Sequence, residues 1–183
     1  KNLQVFTQEN QLSLHLDGSR VYNASTALNV DITEISKYVD SMSICLSKGL
    51  GAPIGSLLLG NEELIKQARR WRKVLGGGMR QAGILAAAAK IALTDNVKRL
   101  QEDHENAQYL AARLAEIDGF EVNLQHVSTN MVFANINDQV DLNSVAKKLN
   151  EKGILLSASN PLRMVTHLDI SKGDIDTFIE ELS

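Results

Sequence analysis

Several things are scarce in this sequence. Among its 183 residues there are one cysteine and two prolines. No apolar stretch approaches the roughly 20 residues that a membrane-crossing helix needs. The lone Cys45 excludes an internal disulfide, and its place in the apolar run SICL reads as a small buried hydrophobe. So little proline, with no low-complexity tract, excludes the disordered and fibrous classes. Neither sign of charge dominates, since 19 basic residues stand against 22 acidic ones for a net charge of -3. No broad basic face is then available to nucleic-acid phosphates. The opening KNLQVFTQEN lacks the apolar core of a secretion signal. Together these absences lead us to expect a chain of the reducing cytoplasm, bound to neither nucleic acid nor membrane. Walker and GxGxxG fingerprints, heptads and internal repeats are missing as well, and no metal is expected.

What is present is an ordinary hydrophobic fraction of 44%, arranged as short apolar runs alternating with segments of helical period. That alternation marks an α/β chain. At about 150 residues per domain, the length suits one domain or one and a half. Strands are expected over residues 12–16, 41–46 and 56–59, with a helical crossover between the first two and Asp31 placed to cap a turn within it. Asn61 can cap a helix through Val74 that carries Glu62 and Glu63 early and Arg69, Arg70, Arg72 and Lys73 late, as the helix dipole favours. Gly76, Gly77 and Gly78 break that helix. The apolar ILAAAAKIAL reads as a buried helix, which turns charged and amphipathic by Arg99 and continues to Ile117. The tail reads as a compact α+β unit, with strands at 120–124, 131–136, 154–157 and 163–167 and helices at 142–152 and from 171 onward.

Two constellations could carry chemistry. In the first, SKGLGAP places Lys48 at the end of an apolar strand, where ligands bind in open α/β sheets. A desolvated lysine there can attack a carbonyl to form a Schiff base, and a solvated loop lysine is the plainer reading of the spacing alone. In the second, HLDGSR sets Asp17 and Arg20 just after a strand, as either a helix cap with a surface partner or a functional acid. Taken together, a carboxylate to keep a pyridine nitrogen protonated and a lysine to hold an aldehyde are what a pyridoxal phosphate electron sink requires.

HLDGSR, CLSKGLGAPIGS, RRWRKVLGGGMRQAGILAAA and RMVTHLD, in that order, resemble the low-specificity threonine aldolase family over nearly the whole chain from Leu12. The resemblance implies a fold-type I enzyme dependent on pyridoxal 5'-phosphate. Residues 1–100 would form the second half of its transferase-like large domain, and 101–183 a small α+β C-terminal domain. It implies cleavage of L-threonine or L-allo-threonine to glycine and acetaldehyde by retro-aldol chemistry through a Lys48 Schiff base. It implies a homotetramer with sites shared between subunits. Asp17 would contact the pyridinium nitrogen, and Arg20 would lie beside the ring and its phenolic oxygen. Arg80 would reach a cofactor phosphate in a neighbouring subunit, and Arg163 would pair with the substrate carboxylate. Lys73 is basic and near Arg80 but acquires no role.

Members of that family are longer, and their N-terminal half carries a Gly-Thr phosphate turn, a histidine stacked on the ring and another near the substrate hydroxyl. This chain is therefore expected to be the second half of such an enzyme, inactive alone. The alternatives are a related β-eliminating lyase, a phenylserine-type aldolase, or a non-catalytic remnant serving in assembly. His104, His126 and His167 read as structural or surface residues, and His15 as a neighbour of Asp17 on one strand face.

Overall fold

The structure, a computed structural model, describes residues 1–182. It divides into two compact units, Lys1–Leu100 and the residues from Gln101 onward.

The first unit runs α1 (Asn2–Glu9), β1 (His15–Gly18), α2 (Val21–Leu28), α3 (Ile32–Ser36), β2 (Ser41–Cys45), β3 (Ser56–Gly60), α4 (Glu62–Val74) and α5 (Gly83–Thr94), ending in a 3-10 turn, Asn96–Arg99. β1 starts later than its apolar run suggests because Leu14 is engaged elsewhere. The Leu14 N–H donates to the Asp40 carboxylate at 2.7 Å, and its carbonyl accepts from the Asp40 N–H at 2.9 Å. β1 pairs in parallel with β2, Asp17 lying opposite Ser43, and β2 pairs antiparallel with β3. A parallel pair needs a long crossover, which α2 and α3 supply.

Alternation along β2 sends Met42 and Ile44 into a core with Val21, Leu46, Leu50, Ala52, Ala92 and Leu100. Ser41, Ser43 and Cys45 face the other way. Cys45 is thus half-buried on a polar face, not in the core as its apolar neighbours implied, with its sulfur 3.7 Å from Ser47 Oγ. The two parallel strands approach closely at Gly18, where a Cβ would lie 2.4 Å from the Ser43 carbonyl oxygen. Only glycine fits there.

The caps form as expected. Asp31 accepts from the Thr33 N–H at 2.8 Å to open α3, and Asn61 from the Leu64 N–H at 2.9 Å to open α4. The expectation for 79–117 needs correcting on two counts. The stretch is two helices with a 3-10 turn between them, and at that turn Asn96 donates its side-chain amide to the Leu50 carbonyl at 2.7 Å. Nor is α5 buried. Its Ala92 is buried with Ala89 and Leu93 packed beside it, whereas Ile84 is 84% exposed and Ile91 54%. A helix apolar all round has two faces to cover, and the first unit's core covers one.

The second unit holds most of α6 (Leu100–Leu114), then β4 (Phe120–Val122), a 3-10 turn (Leu124–His126), β5 (Met131–Ile136), α7 (Leu142–Glu151), β6 (Leu162–Val165) and α8 (Lys172–Leu182). Its sheet is antiparallel in the order β4-β5-β6. Ala107, Leu110, Ala111 and Leu114 of α6 and Ile175 and Ile179 of α8 join Val132, Ala134, Ile136 and Leu162 of the sheet in one core. The strand expected at 154–157 does not form. The Ile154 N–H bonds back to the Leu149 carbonyl at the end of α7, and Leu155 is 85% exposed, so the segment leaves α7 without joining the ladder.

A buried polar brace ties this unit together. Thr166 Oγ1 donates to the Asp103 carbonyl at 2.5 Å, Asn130 Nδ2 to the Thr166 carbonyl at 2.8 Å, and Asn106 Nδ2 to the Ile170 carbonyl at 2.9 Å. Buried polar groups persist where such partners exist.

The two kinds of leucine in the second unit should respond differently to truncation. Leu114→Ala, at a site with no exposure, is expected to lower unfolding free energy by about 2–5 kcal/mol. Leu155→Ala, at an exposed site, is expected to change it by less than about 0.5 kcal/mol. Urea unfolding followed by circular dichroism measures both.

Candidate active site

Asp17 lies near the end of β1 and Lys48 just beyond the end of β2, so the parallel ladder brings a carboxylate and an amine to the same edge of the sheet. The backbone around Lys48 is pinned on both sides. The Gly51 N–H donates to the Lys48 carbonyl at 2.8 Å, the Ala52 N–H to the Leu46 carbonyl at 2.9 Å, and the Leu46 N–H to the Gly55 carbonyl at 3.0 Å. Gly51 holds φ of 71°, a left-handed turn that other residues resist. Buried Leu50 and Ala52 anchor the loop in the core, and Asn96 holds the Leu50 carbonyl from the far side. The Lys48 side chain itself is exposed.

Asp17 is not a helix cap. Its Oδ1 accepts from Ser19 Oγ at 2.8 Å and from the Ser19 N–H at 3.2 Å, while α2 begins after Arg20, whose own carbonyl receives the Ala24 N–H at 3.1 Å. The Ser19 hydroxyl, then the Ser19 N–H, with smaller help from Lys48 and Ser43, hold the Asp17 carboxyl below its ordinary 3.8 against a small opposing effect of burial. Ser19, Arg20, Tyr22, Asn23, Cys45 and Lys48 line one small cleft. Burial, with some help from Asp31, pushes the Tyr22 phenol above its ordinary 10.0, so it stays neutral. On the strand face of Asp17, His15 Nδ1 lies 2.8 Å from Ser41 Oγ.

Arg20 and Lys48 thus share one cleft with Asp17 within electrostatic reach of Lys48. Arg80 does not join them. It is exposed in the bend between Gly78 and α5, and Lys73 lies in the last turn of α4 with its stem against Gly78. Arg163 belongs to the second unit, on the exposed face of β6 opposite Phe133. Its Nη2 lies 3.8 Å from the Met131 sulfur, a weak partner that leaves the guanidinium charge available to a carboxylate. It lines an open groove with Ser157, Thr166 and Asp169.

Sequence reasoning missed Ser19, Tyr22, Asn23 and Asn96. The Asp-x-Ser spacing was a usable signal for Ser19, since such pairs bond locally. The packing that places Asn96 against the lysine loop had none. Among the histidines, His104 is buried and not on a solvated face, and burial pushes its imidazole below the ordinary 6.5. His167 Nδ1 stands 3.6 Å from the Asp169 carboxylate. Among the described residues no group of histidine, cysteine and acidic side chains could hold a metal ion, and no helix is long and apolar enough to cross a membrane.

Comparison with known proteins adds to this geometry. The model of a family described as beta-eliminating lyase matches residues 1–137. The low specificity L-threonine aldolase of Escherichia coli K12 is 50% identical over 94% of this chain, and low-specificity L-threonine aldolase 1 of Arabidopsis thaliana 45% over 90%. The chain spans about half the length of these relatives, 50% and 47%. Among solved structures, Leishmania major threonine aldolase superposes with a TM-score of 0.78 at 22% identity, over 98% of this chain and 54% of its own. An alanine–glyoxylate aminotransferase from Nostoc superposes at 0.69 with 21% identity, over 100% of this chain and 56% of its own, so the fold extends beyond one reaction type.

Because the folded Asp17 has a depressed pKa, its contribution to stability is full above 3.8 and is lost as pH falls through the lower folded value. Asp17→Asn is expected to remove that part of the acid dependence. Unfolding free energies of both proteins between about pH 5 and pH 2 should converge at the acid end if the assignment holds.

Proposed function

Since the chain belongs to the beta-eliminating lyase family, we propose that it is the catalytic part of a threonine aldolase. This reading has it cleave L-threonine and L-allo-threonine to glycine and acetaldehyde with pyridoxal 5'-phosphate. The observation that carries the reading is that Asp17 and Lys48 stand at the shared end of two parallel strands, within electrostatic reach of each other, with Arg20 lining the cleft beside the lysine. The donor set fits the cofactor: a primary amine for its aldehyde, a carboxylate for its ring nitrogen and a guanidinium for its phenolic oxygen. The identity to the E. coli and Arabidopsis proteins favours the aldolase over other reactions of the fold.

Pyridoxal phosphate, when bound, supplies an aldehyde that joins to amines and a ring that takes up the electron pair of the breaking Cα–Cβ bond. Lys48 would hold that aldehyde, its rigid loop fixing where the amine stands. Asp17, kept ionised by Ser19, would hold the proton on the ring nitrogen, and Arg20 would steady the ring oxygen. Arg163 is the proposed partner of the substrate carboxylate, where a guanidinium fork can bind both oxygens. Arg80, exposed and not among the residues lining the cleft, is proposed to serve the phosphate of a neighbouring subunit. That role requires a homo-oligomer, proposed as a tetramer, and the exposed Trp71, Leu75 and Ile84 of the α4–α5 region are consistent with further burial there. We assign 1–100 to the cofactor-binding domain and the remainder to the small C-terminal domain. The single free Cys45 suits a cytoplasmic location.

Product identification tests the reaction, carried out on this chain together with the remaining half that its relatives carry, since the chain alone is expected to be inactive. Glycine with acetaldehyde is the expected outcome from L-threonine, and pyruvate with ammonia from L-serine would move the chain to the eliminating lyases. Lys48→Ala should abolish turnover. Arg163→Ala should raise KM for threonine by at least about tenfold, as loss of a bidentate charged pair implies. The cofactor spectrum should be unchanged; a lost spectrum would place Arg163 at the cofactor instead.

A further inference from the structure

We propose that Ser19 is a positioning residue for the cofactor, acting through Asp17. The inference rests on the reading above, in which Asp17 meets the ring nitrogen, and adds a residue to it. Ser19 Oγ–H and N–H both point to one carboxylate oxygen, Oδ1, at 2.8 and 3.2 Å. Two bonds to one oxygen restrain the rotamer of the carboxylate that would meet the ring nitrogen. They also bias the shared proton toward the ring nitrogen, because each stabilises the ionised carboxylate.

The neighbourhood singles out Ser19 for this work. The other groups acting on Asp17 are Lys48, from the loop after β2, and Ser43, from β2 itself, and both act more weakly than Ser19. The Lys48 charge is the one that the proposed chemistry commits to the cofactor aldehyde, so its help to Asp17 does not stay constant. The Ser19 bonds carry no charge and are local to one turn of chain. Ser19 stands outside the helix, since α2 starts after Arg20, and its hydroxyl donates to Asp17. It lines the cleft that holds Lys48 and Arg20.

The test uses the protein loaded with pyridoxal phosphate labelled with 15N at the ring nitrogen, in wild type, Ser19→Ala and Ser19→Thr. Ser19→Ala is expected to raise the Kd of the cofactor by about fivefold, the scale of one net hydrogen bond felt through Asp17. The 15N resonance should move toward the unprotonated position, and Ser19→Thr, which keeps the hydroxyl, should restore both. A Ser19→Ala protein with wild-type Kd and resonance overturns the role of Ser19 and leaves Lys48 and Asp17 as assigned. A lower Tm with an unmoved resonance does the same, since it reports a structural bond alone. A wild-type protein that takes up no cofactor overturns this inference together with the reading it rests on.

Discussion

The backbone ladder between β1 and β2 is the interaction on which the site depends. Parallel pairing in the register that sets Asp17 against Ser43 brings the ends of both strands to one edge. The pairing is close enough at Gly18 that a single added methyl group would meet the Ser43 carbonyl. A shift of register by one residue would turn Asp17 to the core face and draw Leu16 out of it. The apolar alternation that buries Met42, Ile44 and Leu46 therefore also fixes where the carboxylate and the amine stand. Packing and chemistry share one constraint here.

Rigidity in the lysine loop comes from the same source. Leu50 and Ala52 are core residues, so the segment that carries Lys48 cannot move without unpacking the first unit. Asn96, just beyond α5, reinforces it by donating to the Leu50 carbonyl. The second unit is held differently, by an antiparallel sheet under α6 and α8 and by the buried Asp103, Asn106, Asn130 and Thr166 brace. That brace fixes the chain just beyond β6, the strand that presents Arg163.

Much of this was legible before any coordinates. The runs at 41–46, 56–59 and 131–136 announced strands through alternation, and Asp31 and Asn61 announced helix starts through their side chains. For Asp17, Arg20 and Lys48 spacing alone favoured a solvated lysine and a capping acid, and the proposed chemistry came from the resemblance of the four motifs to the threonine aldolases. Illegible were the features decided by distant packing. Apolar ILAAAAKIAL reads the same whether one face or two are covered, and Ile84 turned out to be exposed. Residues 154–157 have strand-like composition, but the Ile154 N–H bonds back to the Leu149 carbonyl at the end of α7 and the segment pairs with no strand. Asn96 looks like any polar residue until the Leu50 carbonyl is seen beside it.

The central claim is that Lys48 is the amine that holds the cofactor. Borohydride reduction of the protein with pyridoxal phosphate, followed by peptide mapping by mass spectrometry, addresses it directly. One reduced phosphopyridoxyl group is expected, on the peptide containing Lys48. Attachment confined to another lysine, such as Lys73, or no attachment at all, would contradict it.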